Sequence, residues 1–98
     1  MNRVVYKYPL AIDKDPTFTT LTLPCDAVLL HGGFQQGEPH VWALVDLDQA
    51  EVAEVTVQIA GTGHKEFAER DVEHINSVCD GAYVWHFFEI LPRRRVRM

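Results

Sequence analysis

Hydrophobic and polar residues alternate along most of this chain in short runs, with apolar side chains returning every second position, the period of a half-buried strand. In the first run Val4, Tyr6, Tyr8 and Leu10 share one face, and Pro9, which has no amide proton, confines the strand to an edge or ends it. After the turn Asp13-Lys14-Asp15-Pro16, "FTTLTL" places Leu21 and Leu23 inward and closes at Pro24. "AVLLHGGF" and "HVWALVD" flank Gln35-Gln36-Gly37-Glu38 as a hairpin, and Gly32-Gly33 in its first arm marks a bulge or a close approach of another backbone. "EVTVQIAG" alternates cleanly, with Val55, Val57 and Ile59 inward and Thr56 and Gln58 outward. "HINSVC" and "AYVWHFFEIL" surround Asp80-Gly81, the strongest hairpin signal in the chain. Only "KEFAERDVEHI" has helical spacing, through Phe67 and Val72, and it admits one short helix.

The pattern predicts an all-β chain of about seven strands, a small antiparallel β-sandwich or partly open barrel. Its expected core comprises Val4, Tyr6, Leu21, Leu23, Leu29, Trp42, Leu44, Val57, Ile59, Val84 and Phe88. The last strand is apolar on both faces, with Tyr83, Trp85 and Phe87 on one and Val84, Phe88 and Ile90 on the other. A strand of that kind lies inside a sheet or beneath a partner, and a homo-oligomer is expected.

Composition changes this picture little. Ninety-eight residues at 47% hydrophobic and 23% charged suit one globular domain with its own core. No apolar run is long enough for a membrane span, and "MNRVVYKYPL" has no signal-peptide core, so a cytoplasmic protein is expected. Cys25 and Cys79 have no metal-binding or redox spacing and read as buried reduced thiols.

Charge is more informative. The net charge of −5 includes Arg93, Arg94, Arg95 and Arg97, so residues 1–91 carry −9. The expected layout is one domain over 1–91 and a flexible basic tail over 92–98. An acidic body disfavours nucleic acid except through those four arginines.

Reactive chemistry is sparse. A two-residue turn at Asp80-Gly81 sets Cys79 opposite Ala82, His74 opposite Phe87 and Ile75 opposite His86. His74 and His86 then face opposite ways and share no metal. Centring the other turn on Gln36-Gly37 sets His31 opposite Trp42 and His40 opposite Gly33, with the two histidines diagonal neighbours. No third ligand completes a zinc site there, and Asp46 and Asp48 read as a solvated turn. Ser77, the only serine, sits in no nucleophile elbow, and no carboxylate pair is marked out for acid–base work. No catalytic residue, metal or cofactor is assigned, and the chain is expected not to be an enzyme. The best candidate is the corner "IAGTGHK": Gly61 and Gly63 permit positive φ, Thr62 offers a hydroxyl, His64 a ring N–H and Lys65 a charge, a set suited to an anion.

Lys7-Tyr8-Pro9-Leu10, Leu23-Pro24, Trp42-Ala43-Leu44-Val45-Asp46, Gly61-Thr62-Gly63-His64 and Trp85-His86-Phe87-Phe88-Glu89 follow one another in an order that resembles a family of small uncharacterised bacteriophage and prophage proteins. The resemblance runs from about Val5 to Glu89, and excludes the stretch between His64 and His74 and the arginine tail. It implies a viral origin and a bacterial host cytoplasm, and carries no catalytic residues. Such proteins commonly act by binding. One expected target is a nucleotide-like signal of a host defence system, held by Gly61, Thr62, Gly63, His64 and Lys65, with Trp42, Tyr83 or Trp85 stacking on a base. The alternative is a host protein, inhibited through an acidic surface that mimics DNA.

Overall fold

The computed structural model describes residues 2–10, 17–63 and 70–96. They form β1 (Arg3–Pro9), β2 (Thr17–Pro24), β3 (Val28–Gln35), β4 (Glu38–Asp46), β5 (Val52–Gly61), β6 (Asp71–Asp80) and β7 (Tyr83–Val96). Two antiparallel sheets, β1-β4-β3 (sheet A) and β2-β5-β7-β6 (sheet B), make a sandwich that does not close into a barrel. The described residues contain no helix, and hence none long and apolar enough to cross a membrane. Of the stretch that admitted a helix, residues 71–75 belong to β6, paired along β7, and residues 65–69 lie outside the described part.

Between the sheets, Val41, Ala43 and Val45 of β4 face Val55, Val57 and Ile59 of β5 and Phe87 of β7, with Leu10, Leu23 and Ala27 completing two clusters. Each fully buried valine, leucine, isoleucine or phenylalanine side chain of this kind contributes about 1.5–3 kcal/mol. The inward phase expected for β2 and β5 holds. In β4 it is reversed: Trp42 and Leu44 point outward, because "VWALV" is apolar on both faces and alternation alone does not choose between them. Val84 and Phe88 likewise lie on the outer side of β7, opposite to the Phe87 side. Tyr6 shares the inward side of β1 yet remains 44% exposed at the sheet edge. Neighbouring Tyr8 is partly buried, which raises its pKa above that of a free phenol.

Gly32 is where β3 meets the opposite sheet most closely. A Cβ there would overlap the Phe87 ring. Asn76 of β6 reaches across to the same glycine, its Oδ1 accepting from Gly32 N at 2.7 Å and its Nδ2 donating to Gly32 O at 2.8 Å. The side chain thereby satisfies an edge-strand backbone that has no strand beside it.

The two hairpins turn differently. Gln36 and Gly37 both have positive φ (52° and 78°), the type I′ signature, and His31↔Trp42 and Gly33↔His40 pair as expected. In the β6–β7 hairpin only Gly81 (φ 61°) is positive, as at the first central position of a type II′ turn. The turn is therefore Gly81-Ala82, Asp80 pairs with Tyr83, and the register expected from Asp80-Gly81 is displaced by two residues back to Asn76 and by one at His74.

β7 runs on to Val96, so residues 92–96 are strand and not a free tail. Leu91, Pro92 and Arg93 bulge opposite Val55, after which Arg94 pairs with Glu54. Proline fits such a bulge because no ladder donor is required of it. Arg93 turns inward and makes a two-pronged ion pair with the buried Glu89 (2.6 and 3.0 Å), and donates to Cys25 O at 3.2 Å. The carboxylate holds the Arg93 guanidinium pKa above its ordinary value. Arg95 pairs with Glu51 at the surface. These partners explain why an arginine run that reads as frayed is ordered. Arg97 lies outside the described residues. Both cysteines are free, but Cys79 is exposed and Cys25 only half-buried, since neither sits on the inward phase of a central strand.

Candidate functional site

A second bulge builds the most organised polar cluster of the described residues. In β6, His74 pairs with Phe88 and Asn76 with Phe87, leaving Ile75 as the extra residue. Residues three apart in a regular strand point to opposite faces. With Ile75 inserted, His74 and Ser77 point to the same one, the outer face of sheet B. Ser77 pairs with His86 of β7, and His86 pairs with Ala60 of β5. Two residues beyond Ala60, Thr62 continues that face as its amide donates to Val84 O at 3.2 Å.

The side chains join end to end. Thr62 Oγ1 lies 2.9 Å from His86 Nε2, His86 Nδ1 lies 2.7 Å from Ser77 Oγ, and Ser77 Oγ lies 2.9 Å from His74 Nε2. The His74 ring tilts against Phe88 with centroids 5.3 Å apart. The expectation that His74 and His86 face opposite ways is thus corrected. The Ile75 bulge puts them on one face, and the type II′ turn sets Ser77 opposite His86 so that it bridges them. A reading of Gly81 as the first central residue finds the Ser77–His86 pair in the sequence. The bulge leaves no such signal.

With both imidazoles neutral, and Ser77 accepting from one ring while donating to the other, the run has two self-consistent directions. In one, Thr62 donates to His86 Nε2, His86 Nδ1–H to Ser77, and Ser77 to His74 Nε2, leaving His74 Nδ1–H facing outward. In the other, every donation reverses, and the Thr62 O–H is the outward donor. The cluster is a chain that an acceptor at either end polarises throughout.

The glycine corner differs from its expected form. Gly61 is not among the positive-φ residues, and a Cβ there would lie 3.2 Å from the Trp85 ring, a tight contact. Gly63 has φ 88°, which turns the chain out of β5. The Thr62 amide is committed to Val84, so an anion at this corner meets the Thr62 hydroxyl and not a pair of free Gly61–Thr62 amides. His64 and Lys65 lie outside the described residues. Trp42 is not brought to the corner: it lies on the outer face of sheet A, with His31 and His40 tilted against it at 5.6 and 6.1 Å. It lines a separate cleft of about 520 Å³ with His31, Phe34 and Cys79. Tyr83 and Trp85 stack on each other at 6.0 Å.

Among the described residues no three His, Cys, Asp or Glu side chains are placed to hold a metal ion. Asp46 caps its own turn instead. Its Oδ1 accepts from Asp48 N at 3.0 Å and Asn2 N at 3.3 Å, which lowers its pKa below the usual carboxylate range.

A family model described as a domain of unknown function, DUF7352, matches residues 1–96. The chain belongs to that family. No curated protein and no solved structure matches it. Within this DUF7352 domain the Thr62–His86–Ser77–His74 run rests on two strands of sheet B, β6 and β7, and on the turn after β5, so its geometry is fixed by backbone pairing.

Proposed function

We propose that this protein is a non-enzymatic binder of a phosphate-bearing, nucleotide-like molecule, and that the Thr62 corner contacts the anionic group. The resemblance to phage proteins adds the setting: sequestration of a host defence signal in the bacterial cytoplasm. What supports the reading is the hydrogen-bonded run. An anion beside Thr62 selects the direction in which the Thr62 hydroxyl points outward, and each donor in the run backs the one before it. One charge-assisted hydrogen bond of this kind contributes about 1.5–3 kcal/mol.

The test is calorimetric titration with a panel of cyclic and linear nucleotides, using the intact protein and His86→Ala. Binding that weakens about tenfold or more in His86→Ala supports the corner. Nitrogen-15 spectra of the imidazoles give an independent sign, because ligand at Thr62 drives both His74 and His86 to the Nε2–H tautomer. If no nucleotide binds, the sequestering function falls, and inhibition of a host protein through the acidic surface takes its place.

A further inference from the structure

We propose a second anion site on the same face, in a cleft of about 540 Å³ lined by Thr20, Glu54, Thr56, Arg70, Pro92, Arg93 and Arg94, which takes the phosphoryl group of a small molecule. It lies six residues back along β5 from Thr62, about 20 Å at the rise of an extended strand, so it is a site distinct from the corner.

The bulge in β7 creates it. Arg93 is drawn inward to Glu89 and Arg95 pairs with Glu51, while Arg94 resumes pairing opposite Glu54 on the outer face. Among the described residues the Arg94 side chain has no hydrogen-bond or ion-pair partner, and its guanidinium carries five N–H donors. Arg70 is already oriented: its Nε donates to Leu91 O at 3.2 Å and its Nη2 to Pro92 O at 2.7 Å, both carbonyls belonging to the bulge. Three of its N–H groups remain, on a guanidinium that needs no further ordering.

The hydroxyls of Thr20 and Thr56 are paired at 3.0 Å. Whichever of them donates, the other keeps a proton for a third group. Two guanidinium forks and one hydroxyl donor around one cleft match the planar, multidentate recognition of phosphate oxygens. With Arg93 neutralised by Glu89, Arg70 and Arg94 set against Glu54 leave the cleft one unit positive in a protein of net charge −5.

The experiment is an amide-detected NMR titration with inorganic pyrophosphate at low ionic strength, on the intact protein, Arg94→Gln and Glu54→Gln. Arg94 is exposed, so its variant keeps the fold. The expected result is saturable movement of the Thr20, Thr56, Arg70 and Arg94 signals, about tenfold or more weaker binding in Arg94→Gln, and tighter binding in Glu54→Gln. Equal affinity in Arg94→Gln overturns the site. So does movement confined to Thr62, Ser77 and His86, which leaves the corner standing by itself. Binding of an oligonucleotide through Arg94 with none of pyrophosphate overturns the small-molecule assignment. Conversely, pyrophosphate bound at Arg94 while His86→Ala changes no nucleotide affinity leaves this cleft in place and removes the corner.

Discussion

The β3–β4 and β6–β7 hairpins share a device and put it to different ends. Each carries one extra residue in its first arm, Leu30 in β3 and Ile75 in β6. In β3 the bulge turns two residues three apart, Leu29 and Gly32, both toward the core, where Gly32 receives the Phe87 ring. In β6 it turns two residues three apart, His74 and Ser77, both away from the core and into the polar run. One bulge serves packing and the other builds a site. Asn76, the residue next to the second bulge, ties the two arms together through Gly32.

The packing side is the more fragile. Gly32→Ala places a methyl group inside the Phe87 ring, and Phe87 is fully buried. Overpacking of this severity costs about 3 kcal/mol or more, a fall in Tm on the order of 15 °C for a domain of this size. Gly33→Ala next to it meets the His31 ring at 3.1 Å and the Trp42 ring at 3.6 Å, a much smaller overlap, and loses far less. Thermal unfolding of the two variants measures the difference, and equal Tm values would show that β3 is not held against Phe87.

Cutting the tie comes second. Asn76→Ala leaves the Gly32 N–H and C=O without their partner in a partly buried position, a cost of about 2 kcal/mol. Denaturant unfolding reports it. A loss below about 0.5 kcal/mol would mean that water replaces the amide freely and that the hairpins are joined by apolar contact alone.

The turns separate the hairpins at a smaller scale. Gly37 and Gly81 both have open space where a Cβ would stand, so only backbone conformation opposes substitution. Asparagine tolerates the left-handed region of a type I′ turn but not the glycine-only first position of type II′. Gly37→Asn is therefore nearly neutral, and Gly81→Asn costs about 1 kcal/mol. Equal costs in chemical denaturation would remove the distinction between the turn types.

This contrast also explains what the sequence made legible. Strand count, sandwich class and the β3–β4 register follow from alternation and from a Gln-Gly turn that has one reading. The β6–β7 register depended on whether glycine ends or begins the two-residue turn, and "DGA" permits both. The inward face of β4 was hidden because Val41 through Val45 are all apolar. Ser77 and its two histidines stayed invisible for a different reason. A bulge is set by the partner strand and by Asn76 reaching Gly32, which are long-range facts, and a period-two reading carries the wrong face through it. The arginines were legible as charge but not as structure, because Glu89 and Glu51, which order Arg93 and Arg95, meet them through folding.

The smallest effect on stability tests the site itself. Ser77 is exposed, and Ser77→Ala removes one hydroxyl from a surface run, so unfolding shifts by no more than about 0.5 kcal/mol. Its effect on the imidazoles is larger. Ser77 Oγ links His86 Nδ1 to His74 Nε2, and it relays which nitrogen of each ring carries the proton. Where Ser77 accepts from one ring and donates to the other, the two rings hold matching tautomers, both Nδ1–H or both Nε2–H. In Ser77→Ala each ring chooses independently, and His86 answers to Thr62 alone. Ser77→Thr keeps a hydroxyl in a strand that favours β-branched residues and restores the match. Nitrogen-15 shifts of the ring nitrogens read this directly. Unaltered tautomers in Ser77→Ala would mean that the Ile75 bulge places the groups side by side without coupling them, and the β6–β7 hairpin would then differ from β3–β4 in geometry but not in chemistry.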